Sequence, residues 1–126
     1  MAYIKSYREL EVYKLSRQLS FEIFEMTKIF PKEERYSLID QIRRSSRSVG
    51  AQIAEAWAKR RYEKHFISKL TDGDGEQQET QHWIETALDC NYIDKKTRDY
   101  YIGKYSEIGK MLQTMINKAD LFCKKR

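Results

Sequence analysis

Residues 101–122 read YIGKYSEIGKMLQTMINKADLF, and their apolar side chains recur at alternating steps of four and three residues. That spacing is the heptad of a helix packed along one side against other helices. The recurring positions are Tyr101, Tyr105, Ile108, Leu112, Met115, Ala119 and Phe122. A flanking line at intervals of seven widens the apolar face and consists of Ile102, Gly109, Ile116 and Cys123. We therefore predict a helix over about residues 95–123, capped by Asp94, that contacts two neighbouring helices.

Two upstream segments show the same spacing. In residues 32–59 the apolar positions are Ile39, Ile42, Ser46, Val49, Ile53 and either Ala56 or Trp57. In residues 7–30 they are Val12, Leu15, Leu19, Ile23, Met26 and Phe30. We expect Ser6 and Glu9 to form a capping box at the start of the first helix. We expect Phe30-Pro31 to end that helix, because a residue before proline is pushed out of the helical region, and Pro31 can begin the next one.

A fourth helix is expected over about residues 62–90, and it contains the weakest segment of the chain. Its inward positions are Phe66, Leu70, Thr80, Ile84 and Ala87. The run DGDG at residues 72–75 places two glycines in the helix interior, where each costs about 1 kcal/mol relative to alanine. We expect a kink or a break there. A calcium loop starting at Asp72 is excluded, because its sixth and twelfth positions would hold Gln77 and Trp83 instead of glycine and glutamate.

These four helices predict the fold class. One proline and five glycines in 126 residues favour long elements over many short strands, and no strand-like alternation bounded by turn signals occurs. Long helices joined by short connections stack antiparallel. The prediction is an all-α, up-and-down antiparallel four-helix bundle that forms a single domain over residues 1–126.

Composition favours a reducing compartment and no membrane. Cys90 and Cys123 would lie roughly 45 Å apart at 1.5 Å per residue in this topology, too far for a disulfide. No apolar run approaches the length of a membrane span, and the N-terminal residues lack a signal peptide's apolar core. We expect a cytoplasmic protein with no membrane partner.

Residue patterns that would carry catalysis or bind a metal are weak. His65 and His82 have no partner at metal-ligand spacing, and no histidine lies near the serines Ser45, Ser46 and Ser48 to act as a base. No glycine-rich phosphate loop follows a strand. We therefore expect no catalytic site, no metal and no cofactor.

Positive charge concentrates in one part of a chain whose net charge is +5. Residues 35–64 hold eight basic and three acidic residues. The bundle topology would bring the joint between helices 2 and 3 to the same end as Lys5, Arg8 and the tail Lys124, Lys125 and Arg126. The predicted nucleic-acid-binding residues are Arg44, Arg47, Lys59, Arg60, Arg61 and Lys64. The alternative is that these cations only complement helix C-termini. The arginines of helix 2, Arg43, Arg44 and Arg47, could instead form salt bridges across a subunit boundary.

Two stripes of small or apolar residues predict self-association. One is Ala51, Ala54 and Ala58, and the other is Ile102, Gly109 and Ile116. Exposed together, they would exceed the apolar patch that a soluble monomer usually carries. If the stripes lie on different sides, their contact is head-to-tail and can close into a ring. The alternative is that alanine merely favours helix on a solvated face.

Three segments resemble the bacterial four helix bundle protein family, whose members were noted in intervening sequences of 23S ribosomal RNA genes. They are SYRELEVYKLS at 6–16, PKEERYSLIDQIRRSSRSVGAQIAEA at 31–56 and ETQHWIETALDCNYI at 79–93. Gln52 stands where the family often has asparagine, and Gly75 and Gln78 replace common leucines. The resemblance implies a four-helix bundle, a ring often of five subunits, and a link to RNA or DNA. One similar branch, the accessory variability proteins of diversity-generating retroelements, works with a reverse transcriptase.

The sequence therefore yields two functional hypotheses. The first is a non-enzymatic, homo-oligomeric accessory protein that binds RNA or DNA. The alternative is a structural adaptor whose partner is a protein, for example a reverse transcriptase. A small-molecule-binding bundle has no convergent polar group to support it.

Overall fold

Four long helices form the molecule, as a computed structural model describes it over residues 4–123. A single 3-10 turn at Tyr7–Glu9 precedes α1 (Glu11–Thr27), and a second at Lys32–Glu34 precedes α2 (Leu38–Ala58). Then follow α3 (Glu63–Asp89), α4 (Lys95–Asn117) and the four-residue α5 (Ala119–Phe122). Within residues 4–123 there is no strand. The predicted all-α four-helix bundle is confirmed.

The helices neighbour one another in chain order. Helix α2 packs most extensively on α3, α3 on α4 comes next, and α1 packs on α2. Helices α1 and α4 close the bundle with the sparsest contact of the four. Because α1 and α3 lie on opposite sides, α2 presents one face to each of them.

The start of α1 differs from the predicted capping box. The Ser6 hydroxyl accepts a hydrogen bond from the Arg8 backbone N–H at 3.2 Å, so it caps the 3-10 turn. Leu10 is then extended, with φ −69° and ψ 131°, and the α-helix begins only at Glu11. The helix also ends at Thr27, three residues before the predicted Phe30.

Helix α2 begins at Leu38, after the second 3-10 turn, so Pro31 opens that turn instead of the helix. The Glu34 carboxylate organises this connection. It accepts from the Ser37 hydroxyl at 2.6 Å, from the Leu38 backbone N–H at 3.2 Å and from the Tyr92 hydroxyl at 2.8 Å. These bonds stabilise the charged form and lower the pKa of Glu34, and the bond to Glu34 raises the pKa of Tyr92 to about 12.

Helix α3 is continuous through residues 72–75, so the expected break is absent. Gly73 is buried, and a Cβ atom there would lie 3.5 Å from Gln52 Cβ and 3.7 Å from Leu112 Cδ1. Helices α2 and α4 therefore lie so close to α3 that a side chain longer than that of alanine would meet them. Gly73 and Gln77 also complete the inward spacing of α3, which runs through Phe66, Leu70, Gly73, Gln77, Thr80, Ile84 and Ala87.

The predicted seams of α2 and α4 are buried. Every predicted α4 position from Tyr101 to Ala119 is buried, and Phe122 is half-buried. The predicted Asp94 cap accepts from the Thr97 backbone N–H at 2.8 Å. The helix ends earlier than predicted, at Asn117, because Lys118 leaves the helical region with φ −112° and ψ 30°. In α1, the half-buried Leu15 and Met26 are joined in the interior by Ser16 and Thr27.

Of the two cysteines, Cys90 is exposed and Cys123 is half-buried. Over residues 4–123, no helix combines the length and the hydropathy that a bilayer crossing requires.

Candidate nucleic-acid interface

The first group of cations lies at the joint between α2 and α3, which we call the basic pole: Lys59, Arg60, Arg61 and Lys64. Arg60 folds back, because its Nε donates to the Trp57 carbonyl at 2.9 Å and its guanidinium lies 3.7 Å from the Trp57 ring centre. Lys59 and Lys64 are exposed and have no carboxylate within salt-bridge distance among the described residues. The pole lies at the C-terminal end of α2, whose backbone dipole favours cations.

Two further parts of the predicted pole are Arg8 and the tail. The 3-10 turn that carries Arg8 packs on α2, and the Arg8 guanidinium lies 4.6 Å from the Tyr7 ring centre. The tail cations Lys124, Lys125 and Arg126 lie outside the described residues.

Arg44 is paired with acidic residues, and its assignment to the nucleic-acid site stays a prediction. Its guanidinium donates to Glu79 Oε2 at 2.7 Å and to Glu76 Oε1 at 3.3 Å, both on α3. These bonds raise the pKa of Arg44 further. Arg44 therefore ties α2 to α3 within the chain, whereas the salt-bridge alternative placed such pairs across a subunit boundary.

Arg43 and Arg47 point to the opposite side of α2, where they meet α1. Arg43 Nε donates to Thr27 Oγ1 at 2.8 Å, and its guanidinium lies 4.7 Å from the Phe24 ring centre. The Arg47 guanidinium lies 5.6 Å from the same ring. Burial, and then the charge of Arg47, lower the pKa of Arg43. Among the described residues, neither arginine has a carboxylate within salt-bridge distance, so two guanidinium groups on one aromatic ring form an anion-attracting surface.

Next to Arg47 a cleft of about 300 Å³ opens between α1 and α2. We call it the α1–α2 cleft, and its lining residues are Tyr7, Tyr13, Ser16, Arg17, Ser20, Arg47, Gly50, Ala51 and Ala54. Its floor exists because residue 50 is glycine. A Cβ atom there would lie 3.3 Å from the Ser16 hydroxyl oxygen and 3.6 Å from Tyr13 Cε1.

Depressions on either side extend this surface. One is lined by Arg8, Tyr13, Lys14, Arg17 and Gln18, and the other by Arg35, Ile39, Asp40, Arg43, Arg44 and Arg47. We call Arg8, Arg17, Arg35, Arg43 and Arg47 the arginine face. Of the nine arginines within residues 4–123, only Arg44 and Arg98 pair with carboxylates. The other seven all lie on the arginine face or at the basic pole.

Sequence reasoning did not assign Arg17 or Arg35 to the site. It placed Arg8 at the basic end of the bundle and Arg43 in the cluster of helix 2, but included neither among the predicted binding residues. A signal for Arg17 was available, because Tyr13, Arg17 and Ser20 recur at helical spacing on the side of α1 next to Ser16. No comparable signal separates Arg43 and Arg47 from Arg44. Their difference depends on which neighbouring helix each side chain reaches.

The two predicted self-association stripes differ in their exposure and contacts. Ile102 and Ile116 pack against the bundle's own core. A Cβ atom at Gly109 would lie 2.8 Å from Gln77 Nε2 of α3, so this line serves contact within the chain. Ile102, Gly109 and Ile116 are half-buried, and their part in self-association stays a prediction. Ala51 and Ala58 are exposed and Ala54 is half-buried, and Ala51 and Ala54 line the α1–α2 cleft.

No group of three or more histidine, cysteine, aspartate or glutamate side chains within residues 4–123 is arranged to hold a metal ion.

Comparison with known proteins locates the chain in a family. Residues 8–114 match the family described as 23S rRNA-intervening sequence protein. Among solved structures, the chain is similar to a protein of unknown function from the S23 ribosomal protein family of Bacteroides thetaiotaomicron. The two share 29% sequence identity with a TM-score of 0.76, over 84% of this chain and 95% of the other. Among curated proteins, no sequence matches significantly. A match over most of the length, on a bundle of the same shape, establishes that the chain belongs to the 23S rRNA-intervening sequence protein family.

Proposed function

We propose that this protein is a non-enzymatic nucleic-acid-binding accessory protein that contacts RNA or DNA through the arginine face and the basic pole. The observation that carries the proposal is the distribution of arginine partners. Within residues 4–123, seven arginines without a carboxylate partner gather on one side and one end of the bundle, whereas Arg44 and Arg98 are paired with carboxylates. Guanidinium groups left without acidic partners are suited to bind phosphate oxygens.

The dimensions of this surface fit a nucleic-acid backbone. Arg43 and Lys59 are the outer cations of the surface along α2, and they lie about 24 Å apart at 1.5 Å per residue. That length spans several phosphates, which are spaced about 3.4 Å per strand along a duplex axis. The names of the family and of the similar structure refer to ribosomal RNA and to ribosomal proteins, which supports an RNA context.

The test measures binding of fluorescein-labelled RNA and DNA oligomers by anisotropy over a range of salt concentrations. Wild-type affinity should fall steeply as salt rises, because binding releases counterions from phosphates. Arg47→Glu should weaken binding and make this salt dependence shallower by about one phosphate contact. The matched control is Lys110→Glu, an exposed charge reversal on α4, away from the arginine face. No binding at low salt, or equal losses in both variants, would refute the proposal.

The adaptor hypothesis gives a different result in the same experiment. Reversing the charges of Lys59, Arg60 and Arg61 should abolish nucleic-acid binding if the basic pole contacts phosphates. A protein that only bridges other proteins would show no nucleic-acid binding for this triple variant to abolish.

We propose self-association as a second property, because large apolar side chains are exposed near the junction of α1 and α2. The exposed fractions are 63% for Phe21, 83% for Ile29 and 85% for Tyr36. A cyclic arrangement, with five subunits, is what the family resemblance implies.

Light scattering should report a mass above the 15.2 kDa of one chain. The double variant Ile29→Ser/Tyr36→Ser should return it to the monomer, whereas Tyr62→Ser at the basic pole should not. A wild-type monomer at micromolar concentration would exclude self-association.

A further inference from the structure

We propose that the α1–α2 cleft holds one unstacked nucleotide, with its phosphate between Arg17 and Arg47 and its base against Tyr13, so that the protein prefers single strands to duplexes. This inference rests on the proposed function and assigns it a ligand class. A general basic surface would not produce this preference, because a duplex has the higher phosphate charge density and is attracted at least as strongly.

The cleft has the shape and charge for this ligand. Its volume of about 300 Å³ lies at the lower end of pockets that take small ligands. The cleft is therefore of a size to hold one nucleotide of a strand. Arg17 from α1 and Arg47 from α2 both line it, and neither has a carboxylate partner among the described residues. A phosphate held there would gain two charge-assisted contacts and would relieve the repulsion between Arg47 and Arg43.

An aromatic wall completes the cleft. Tyr13 is half-buried and stands between two depressions, because it lines both the α1–α2 cleft and the depression formed by Arg8, Lys14 and Arg17. The Tyr7 ring packs edge-on against Tyr13 at 4.8 Å and is covered by Arg8. Tyr7 thus fixes the Tyr13 ring at low entropic cost. Aromatic rings next to cations are how many proteins hold the bases of single strands.

The floor of the cleft adds a polar preference. The Ser20 hydroxyl donates its proton to the Arg17 carbonyl at 3.0 Å, and Ser16 donates to the Tyr13 carbonyl at 2.8 Å. Since each hydroxyl proton is already used, these oxygens are left as acceptors. The half-buried Ser20 oxygen can accept from a base amino group or from a ribose 2′-hydroxyl, whereas Ser16 is almost fully buried.

A duplex cannot use this site in the same manner. Its bases are stacked inside, and its phosphates lie on a convex outer surface, so only the arginines on the rim would contact it. Duplex binding would consequently respond to charge and salt, but not to the shape of the cleft.

The test compares a single strand, its duplex and an abasic strand of the same length, each bound to the full chain and followed by anisotropy. The cleft is filled without a charge change by Ala54→Leu, and the matched control is Ala58→Leu, an exposed alanine outside the cleft on the same helix. Circular dichroism and light scattering check that both variants keep the helical content and mass of the wild type.

We expect Ala54→Leu to weaken single-strand binding by about tenfold or more, the size of one aromatic–base stack. Its duplex affinity should stay within about twofold of the wild type, and Ala58→Leu should change neither. The abasic strand should bind wild type and Ala54→Leu equally weakly. The comparison of normal and abasic strands on the wild type needs no variant, so it tests the inference even if Ala54→Leu misfolds. Equal wild-type affinity for the normal and abasic strands would overturn the inference and leave the proposed function intact. No binding of any probe would refute both.

Discussion

Helix α2 contributes to two regions: its packed interface with α3, which we call the α2–α3 seam, and the α1–α2 cleft. The polar side chains of α2 have opposite environments in these two regions. In the seam, Arg44 is bound by two glutamates, and the buried Thr80 hydroxyl donates to Ser45 Oγ at 2.9 Å. In the cleft, Arg47 has no carboxylate within salt-bridge distance among the described residues, and Gly50 lets α1 approach α2 closely. The seam satisfies its polar groups within the chain, so it contributes stability. The cleft leaves them for a ligand.

The largest effect is expected where the seam is most tightly packed. Gly73→Leu should lower the free energy of unfolding by about 3 kcal/mol, because its side chain would meet Gln52 and Leu112. Gly73→Ala is the control. Its Cβ would make only ordinary contacts, and alanine gains up to about 1 kcal/mol of helix propensity, so stability should be unchanged or higher. Urea denaturation measures both, and a well-tolerated leucine would show that the close approach of the helices is not required.

A smaller effect is expected from the buried hydroxyl pair of the seam. Thr80→Val should cost about 1–2 kcal/mol, because Ser45 is then left with only a long bond, 3.4 Å, to the Ile42 carbonyl. The double variant Ser45→Ala/Thr80→Val should cost less than the sum of the single variants, since no unpaired hydroxyl remains. Strict additivity in this cycle would mean that the two hydroxyls do not interact.

Substitutions of Arg44 in the seam and of Arg47 in the cleft should have opposite effects on stability and on affinity. Arg44→Gln should lower stability by less than about 1 kcal/mol, because its ion pairs are half-exposed, and should leave nucleic-acid affinity unchanged. Arg47→Gln should show the reverse, with unchanged stability and weaker binding. Urea unfolding and anisotropy on the same two proteins give the comparison. If both variants lose affinity equally, the distinction between seam and cleft has no functional meaning.

The smallest effect concerns pH, at the connection that leads into α2. The folded-state pKa of Glu34 is lowered from its ordinary value of 4.5, first by Ser37 and then by Tyr92. The stability it contributes is therefore present above about pH 4.5 and is lost as the pH falls through the folded-state pKa. The stability difference between wild type and Glu34→Gln should shrink on acidification over this range. Glu33→Gln, at an exposed neighbour, is the control, and a constant difference for Glu34→Gln would contradict the assignment.

Much of the fold was predictable because it depends on spacing along the chain. The inward positions of α2 and α4 follow from a repeat of three and four residues, and burial agrees with them. Helix ends were less predictable. The Ser6–Glu9 pattern caps a 3-10 turn, because Leu10 becomes extended before α1 begins. The unbroken α3 depends on Gly73 facing two other helices, which compensates for its low helix propensity.

The candidate site was less predictable than the fold. Arg44 and Arg47 are three residues apart and chemically identical, and only the glutamates 32 and 35 residues further along the chain distinguish them. Likewise, Gly109 reads as part of an exposed stripe until Gln77 is placed beside it. Pairings between distant residues decide which surface groups remain free, and a single sequence does not encode them as local patterns.

The chain-order packing of the helices also has a kinetic consequence. Consecutive helices make most contacts, so contact order is low and rapid folding of the α2–α3–α4 unit is expected. Helix α1 is attached to α2 and only sparsely to α4, so it should be the first helix to detach in native-state fluctuations. Amide hydrogen exchange should therefore be faster in α1 than in α3. Since α1 supplies Tyr13 and Arg17, each such opening would also dismantle the cleft, and a bound strand should slow exchange in α1 selectively.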